Sequence, residues 1–166
     1  MPTTGSTRLL LMRHAKSDWS HEGLTDHDRP LNDRGRRDAP RMAQLLQEQN
    51  LIPDLVVSSS AERARETAQL VTGELNGSTP VIERGLYLAS AETWLSHLKA
   101  YDFQTLTLCI GHNPGLEELI ARLTGTCTTM TTAAIALLQR QDNTDLNEEG
   151  RKSSWKLVQI WRPKEL

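Results

Sequence analysis

Short runs of apolar residues alternate along the chain with longer segments in which apolar residues recur every three or four positions. The short runs are typical of β-strands, and the longer spacing is typical of one face of an α-helix. The predicted strands are residues 8–12, 54–58, 80–83, 105–111, 134–139 and 155–161. Helices are predicted between them, around Leu45, Ala64, Trp94 and Leu119. The pattern therefore predicts an α/β fold.

The strand patterns also indicate how the sheet is arranged. Residues 54–58 and 105–111 show no clean alternation of apolar and polar positions, which is typical of parallel strands covered on both faces. The last two strands are joined only by the polar stretch 140–154, which has no apolar period for a crossover helix. We therefore expect 134–139 and 155–161 to pair antiparallel at one edge of the sheet.

Composition limits the number of domains and the classes of binding partner. A chain of 166 residues that is 37% hydrophobic and 24% charged fits one domain spanning 1–166, with 1–7 as a flexible N-terminus. A formal net charge of -2 and a pI near 6.2 provide no general attraction for nucleic acid or for anionic membranes. The two cysteines lack zinc-site spacing, and the apolar run before Arg13 is too short for a signal peptide or a membrane span. We expect a cytoplasmic protein with reduced thiols.

Arginine and histidine side chains lie close behind three of the predicted strands. Arg13 and His14 follow the first strand, Arg63 lies soon after the second, and His112 follows the fourth. Taken singly, a histidine or arginine at such a position is usually structural or solvated. The carboxyl ends of parallel strands meet at one edge of a sheet, where ligands bind in α/β proteins. The four side chains together therefore predict a functional site.

Local helix-start signals support this placement. Ser59 is a candidate N-cap with Glu62 three residues later, which would put Arg63 in the first turn of the helix. In the stretch GHNPG, Asn113 is a candidate cap and Pro114 a candidate first helical residue. Both signals predict a helix N-terminus, which favours anions, beside the strand ends.

Two arginines and two histidines in one place suit the transfer of a phosphoryl group. Guanidinium groups present forked donors that match phosphate oxygens, and they stay charged near neutral pH. A neutral imidazole can attack phosphorus and form a phosphohistidine, which water then hydrolyses. The second imidazole can stabilise charge on the equatorial oxygens in the transition state. This chemistry requires no metal ion and no cofactor.

Four separated motifs in the chain resemble those of the histidine phosphatase superfamily, which is also called the phosphoglycerate-mutase-like superfamily. They are MRHAKSDW, DHDRPLNDRGRRDAPRMAQLL, VVSSSAERARETAQLV and CIGHNPGLEELIARLTG. They occur in the family order between about residue 8 and about residue 125, and they are most similar to the small SixA-like branch. Many members have glycine where this chain has Ala15, a departure that leaves the pocket residues intact.

The resemblance implies a fold and a role for each site residue. The implied fold is a three-layer α/β arrangement, with a mixed, mostly parallel sheet flanked by helices. His14 is implied to be the phosphorylated nucleophile, Arg13 and Arg63 to clamp the phosphoryl group, and His112 to be the second pocket histidine. The SixA-like branch also implies a protein phosphohistidine as substrate.

The chain offers no clear general acid. Larger members of the family carry one on an inserted segment, but the stretch between the second and third strands is too short for a large lid. Glu83, Asp18 and Asp26 are candidates that no spacing argument separates. Arg29 or His27 could also reach the rim of the pocket, although the charged stretch around them is more typical of a loop and a solvated helix face.

The missing acid bears on the substrate. Alkyl phosphates have poor leaving groups and gain from general acid catalysis, whereas an imidazole leaves with far less help. A small open site therefore favours a phosphorylated protein, with phosphohistidine as the leading substrate. The alternatives are hydrolysis of a small phosphorylated metabolite, mutase activity, and a non-catalytic phosphate-binding module. Mutase activity is disfavoured because the chain has little material for a lid that excludes water.

Overall fold

The computed structural model of the protein describes residues 7–101, 105–141 and 155–166. These residues form six strands, which are β1 (Arg8–Arg13), β2 (Leu55–Ser59), β3 (Val81–Glu83), β4 (Thr107–Gly111), β5 (Ile135–Arg140) and β6 (Trp155–Trp161). They also form four α-helices, which are α1 (Asp33–Glu48), α2 (Glu62–Glu74), α3 (Ala91–Leu98) and α4 (Gly115–Thr124). Short 3₁₀ helices cover Asp26–Asp28, Arg84–Leu86 and Pro163–Glu165. The predicted strands are all present, and each end lies within two residues of its predicted position.

The six strands form one sheet in the order β3-β2-β4-β1-β5-β6. β1, β2, β3 and β4 are parallel to one another, β5 is antiparallel to β1, and β6 is antiparallel to β5. This confirms the mixed, mostly parallel sheet and its antiparallel C-terminal edge. Most of the polar connection 140–154 and of the predicted flexible N-terminus 1–7 lies outside the described residues.

Helices cover both faces of the sheet, which confirms the three-layer arrangement. Successive side chains of β1 point to opposite faces, so Leu10 and Met12 belong to one core cluster and Leu9 and Leu11 to the other. The first cluster includes the inward faces of α1 and α2, and the second includes those of α3 and α4. Within the described ranges, no helix has the length and apolarity needed to cross a lipid bilayer.

The helix and loop that follow β1 lie in close contact. Asn32 caps α1, where its side chain accepts a hydrogen bond from the Gly35 backbone amide at 2.9 Å. A Cβ on Gly35 would collide with the Lys16 carbonyl oxygen, so only glycine permits this approach. Thr67 of α2 fixes the same loop, because its hydroxyl accepts a hydrogen bond from the Ala15 amide at 3.0 Å. The loop after β1 is therefore held between the first two helices.

The predicted N-cap of α2 is wrong. Ala61 occupies the N-cap position and provides no side-chain cap, whereas Ser59 is the last residue of β2. The Ser59 hydroxyl accepts a hydrogen bond from the Ala61 amide at 3.2 Å, one residue too early for a capping box. Arg63 nevertheless lies in the first turn of α2, as predicted.

The predicted start of α4 is also displaced. Pro114 lies at the N-cap position and α4 begins at Gly115, so Asn113 precedes the helix. The Asn113 side-chain amide instead donates hydrogen bonds to Glu117 at 2.9 Å and to the Met130 carbonyl at 2.8 Å. Asn113 thus connects the end of β4 to the loop before β5, and its buried Oδ1, the atom that would cap a helix, has no hydrogen-bond partner among the described residues.

Candidate active site

Three of the side chains predicted for the site meet at the carboxyl ends of β1, β2 and β4. His14 follows β1, His112 follows β4, and Arg63 extends from the first turn of α2. The two imidazole centroids lie 5.1 Å apart, and Arg63 Nε lies 3.4 Å from His14 Nε2. Arg63 Nη2 lies 3.5 Å from His112 Nδ1. All three side chains are buried, so they form a preorganised cluster rather than a loose group on the surface.

Arg13 lies in the same pocket, which has a volume of about 240 Å³. Its Nη1 donates a hydrogen bond to the Met130 carbonyl at 3.1 Å. Its buried Nε has no hydrogen-bond partner among the described residues. The lining combines the four predicted residues with two further cations, Lys16 and Arg29. This positive lining is suited to an anion.

The hydrogen bonds of His14 define its tautomer. Nδ1 lies 2.7 Å from the Ala15 carbonyl oxygen, which can only accept a hydrogen bond, so Nδ1 carries the proton. Nε2 consequently keeps its lone pair and accepts from Arg63 Nε. The nitrogen that faces the arginine is therefore the one that carries the lone pair.

Both pocket histidines are neutral near pH 7. Burial, together with the adjacent His112, Arg63 and Arg13, lowers the pKa of His14 to about 3 against the opposing effect of the Ala15 carbonyl. Burial and then the charge of Arg63 lower the pKa of His112 to about 3, with the Asp26 carboxylate opposing. The lone pair of His14 Nε2 is therefore not blocked by a proton.

His112 is oriented by a serine that the sequence suggested for another role. Arg63 donates toward His112 Nδ1, so the proton of the neutral ring is on Nε2. That Nε2–H donates to the Ser59 hydroxyl, with 2.7 Å between nitrogen and oxygen. The end of β2 thereby fixes the ring that follows β4.

Asp26 connects two of the pocket arginines. Its carboxylate accepts hydrogen bonds from Arg63 Nη2 at 3.1 Å and from Arg29 Nη2 at 3.1 Å. The Tyr87 hydroxyl donates to the same carboxylate at 2.5 Å, and Arg63 Nη1 donates to the Asp26 carbonyl at 2.7 Å. One edge of the Arg63 guanidinium is thus held by Asp26, while Nε and Nη2 are presented to the two imidazoles.

These contacts argue against Asp26 as a general acid. The Tyr87 hydrogen bond, followed by those of the arginines, lowers the pKa of Asp26 to about 2 despite partial burial. The carboxyl group is therefore ionised near neutral pH and has no proton to donate. Its position indicates a different task, which is to hold arginines in place.

The other two carboxylate candidates do not line the pocket. Asp18 accepts a hydrogen bond from the Ser20 amide at 2.7 Å, and the Ser20 side chain followed by this amide lowers the pKa of Asp18. Glu83 ends β3, which lies at the sheet edge beyond β2 and β4. Among the described residues, no Asp or Glu lines the pocket. No cluster of three His, Cys, Asp or Glu side chains within that part of the chain is arranged to hold a metal ion.

Several residues in or beside the pocket were not predicted, or were predicted only as alternatives. Arg29 is buried and lines the pocket, where its Nη1 donates to the Ser17 hydroxyl at 2.7 Å. His27 bonds Ser60 at 2.9 Å instead of lining the pocket. Tyr87 packs edge-on against the His112 ring at 5.7 Å. The only sequence signal for Arg29 is its spacing of three from Asp26, which suits an ion pair across a helical turn.

The chain is similar to proteins of one family. Residues 9–100 match the model of the histidine phosphatase superfamily (branch 1). An uncharacterized chloroplastic protein from Arabidopsis thaliana is 34% identical over 154 residues, which cover 85% of this chain and 70% of that protein.

Two solved structures are similar over almost the whole chain. One is the putative phosphohistidine phosphatase SixA from Agrobacterium tumefaciens, with a TM-score of 0.80, 30% identity, and coverage of 95% of this chain and 98% of that chain. The other is the protein histidine phosphatase SixA complexed with tungstate, with a TM-score of 0.79, 25% identity and the same coverage of both chains. These matches agree with the sheet order and the helix layers described above.

Proposed function

The chain belongs to the histidine phosphatase superfamily, and on this premise we propose that it is a phosphatase that carries the phosphoryl group on His14 during the reaction. The leading substrate is a phosphorylated histidine on another protein. The observation that carries the proposal is the state of His14. Its ring is neutral, and its unprotonated Nε2 lies 3.4 Å from Nε of the buried Arg63.

The first step transfers the phosphoryl group to the enzyme. The guanidinium groups of Arg63 and Arg13 bind its oxygens, and His14 Nε2 attacks phosphorus from the side opposite the leaving group. The new bond joins Nε2 to phosphorus, while the old phosphorus–nitrogen bond breaks and its electron pair stays with the leaving imidazole. That imidazole then takes a proton from solvent. Hydrogen bonds from the guanidinium groups of Arg63 and Arg13 stabilise the spread negative charge.

The second step returns the enzyme to its starting state. A water molecule attacks phosphorus, the bond to His14 Nε2 breaks, and inorganic phosphate forms as the water proton is released. The Ala15 carbonyl holds the proton of Nδ1 throughout at 2.7 Å, so the same nitrogen regains the lone pair. The backbone therefore keeps His14 in the reactive tautomer for the next cycle.

The substrate class follows from the absence of a carboxylic acid in the described lining. A phosphoramidate leaves as a nitrogen base and needs little general acid catalysis, in contrast to an alkyl phosphate. The similar SixA structure described as a protein histidine phosphatase supports the same substrate class. The tungstate in that structure is a tetrahedral oxyanion, as phosphate is, which supports an anion site in this fold.

The test of the mechanism is direct labelling of the protein. We would incubate it with radiolabelled phosphoramidate, quench it in alkaline denaturant, and compare the native protein with His14→Ala. The matched control is His21→Ala, which removes an exposed histidine outside the pocket. We expect an acid-labile, alkali-stable label on the native and His21→Ala proteins only. Equal labelling of His14→Ala would overturn the assignment, and no label or turnover would indicate a phosphate-binding module.

A second measurement tests the substrate class. The native protein is offered a histidine-phosphorylated protein and, separately, glycerol phosphate at matched concentrations. We expect kcat/KM to be higher for the phosphorylated protein, because the described lining offers no acid for an alkoxide leaving group. A preference for glycerol phosphate would instead assign the site to a small phosphorylated metabolite.

The proposal includes no metal ion, because the arginines supply the positive charge and hydrogen bonds that a metal would otherwise provide. Dialysis against a chelator is expected to leave the rate of phosphoramidate hydrolysis unchanged. A loss of rate that a divalent cation restores would contradict the metal-free mechanism.

A further inference from the structure

Two exposed apolar side chains line the otherwise polar and cationic pocket. The side chains are Trp19, which is 72% exposed, and Leu88, which is 56% exposed. Both line the same cavity as His14, Arg63 and His112. A phosphoryl group is bound by charge and hydrogen bonds alone, so these two side chains have no role in holding it. They are placed to contact the rest of the substrate.

Trp19 is held in place by a buried cation. The Arg29 guanidinium carbon lies 3.4 Å from the centroid of the indole ring, which is a cation–π contact. Arg29 is itself fixed by Ser17 and Asp26, and only 8% of it is exposed. One face of the indole is therefore covered by a rigid neighbour, while the large exposed fraction leaves the remainder open to a ligand.

Leu88 adopts a backbone conformation that disfavours leucine. Its φ angle is +47°, in the left-handed region where a side chain carries a conformational cost. Its neighbours hold it there, because Leu86 and Ala89 are buried and the Ala89 amide donates to the Leu86 carbonyl at 3.3 Å. Gly115 of α4 packs against the Ala89 carbonyl, where a Cβ would collide. A strained backbone that exposes an apolar side chain at a pocket is typical of a functional position.

The size of the cavity limits the ligand. Pockets that enclose whole small molecules usually measure about 300–1,000 Å³, whereas this one measures about 240 Å³. The space suits a phosphoryl group with one attached ring better than a larger metabolite. A phosphorylated side chain that protrudes from a protein surface meets this condition.

We propose that Trp19 and Leu88 form a leaving-group subsite that binds the planar imidazole ring of a phosphohistidine side chain. The ring stacks on the open face of the Trp19 indole and contacts the Leu88 methyl groups. Aromatic stacking of this kind is directional, so it also aligns the phosphorus–nitrogen bond with His14 Nε2. The inference rests on the proposed function, because a leaving-group subsite has meaning only if the phosphoryl group is transferred to His14.

The test uses two substrates that share the reacting bond and differ in the ring. Phosphoimidazole and phosphoramidate both break a phosphorus–nitrogen bond, but only phosphoimidazole has an aromatic leaving group. The measured quantity is the ratio of kcat/KM for phosphoimidazole to kcat/KM for phosphoramidate. Trp19→Ala is expected to lower this ratio about three- to tenfold, as the loss of one aromatic stacking contact would. Trp19→Phe is expected to restore most of it.

Leu88→Gly separates a substrate contact from a structural role. Glycine relieves the left-handed strain, so the variant is expected to be at least as stable as the native protein while its ratio falls. The control is Ile52→Ala, which removes an apolar side chain that is 52% exposed and outside the pocket. It is expected to leave the ratio unchanged.

The outcomes distinguish the two proposals. A ratio that stays at the native value in Trp19→Ala and in Leu88→Gly would overturn the subsite, even if phosphoramidate still labels His14. An equal fall in Ile52→Ala would overturn it too. If neither substrate labels His14 in the native protein, the proposed function fails, and the subsite fails with it.

Discussion

The floor and the mouth of the pocket are built differently. At the floor, His14, Arg63 and His112 are almost completely buried and hydrogen-bonded to one another or to the backbone. At the mouth, Trp19 and Leu88 are largely exposed and lie on loops between the regular elements. Strand ends and a helix start fix the floor, whereas the mouth depends on one cation–π contact and a strained turn. We therefore propose that the rigid part performs the chemistry and that the exposed part selects the substrate.

Among the variants considered, removal of the Arg63 guanidinium from the floor should lower activity the most. Arg63→Ala is expected to lower kcat/KM for phosphoramidate about 10²- to 10³-fold, the usual effect of losing one preorganised donor from a transition state. The matched control is Arg65→Ala on the same helix, whose side chain is 46% exposed and pairs with Glu62. A similar loss in Arg65→Ala, or little loss in Arg63→Ala, would show that the clamp is not the source of the rate.

The buried neutral histidines make the floor sensitive to acid. Their folded pKa values of about 3 lie below the ordinary value of 6.5, so the unfolded chain binds protons that the folded chain excludes. The contribution of these two histidines to the free energy of unfolding is fully present above about pH 6.5 and is lost as the pH falls toward 3. At pH 5 each histidine should lower the free energy of unfolding by on the order of 2 kcal/mol relative to pH 7.5.

Urea unfolding at the two pH values measures this effect. The difference in the free energy of unfolding between pH 7.5 and pH 5 should be smaller in His14→Ala, because the variant has one buried histidine fewer. The difference should be unchanged in His21→Ala. An equal pH difference in the native protein and in His14→Ala would contradict the low pKa of His14.

Substitution of Asp26 should cause a smaller loss of activity, because Asp26 acts only by holding the arginines. Asp26→Asn keeps the size of the side chain but weakens its hold on Arg63 and Arg29, so we expect about a tenfold loss of kcat/KM for phosphoramidate. Asp26→Ala should cost more, because both arginines lose this side-chain partner. The control is Asp28→Asn, whose side chain is 61% exposed. If Asp26 were instead the proton donor, the activity of the native protein would fall as Asp26 loses its proton, and Asp26→Asn would remove that fall from the pH profile. We expect Asp26→Asn to leave the shape of the pH profile unchanged.

The sequence was sufficient to predict the floor of the pocket. Aliphatic runs that stop at Arg13 and just before His112 define strand ends, and parallel strands must bring their ends to one edge. Arg63 was placed correctly in the first turn of α2 although its predicted cap was wrong. The first turn of a helix can be located from the spacing of its apolar residues, even when the residue predicted to cap it is wrong.

The contacts that surround the floor could not be predicted in this way. Tyr87 meets Asp26 across 61 residues of sequence, and that hydrogen bond is the largest cause of the low pKa of the carboxyl group. Asp26 therefore remained a candidate acid until its partners were known. Trp19 and Leu88 follow no apolar period, so nothing in the pattern distinguishes them from ordinary exposed loop residues.

The most direct test of the account is to find the nitrogen that carries the phosphoryl group. The protein would be labelled with ¹⁵N in its histidine rings, phosphorylated with phosphoramidate in alkaline buffer, and examined by NMR for coupling between ³¹P and ring nitrogen. The tautomer fixed by the Ala15 carbonyl predicts phosphorus on Nε2 of His14. Phosphorus on Nδ1 of His14, or on either nitrogen of His112, would contradict the account.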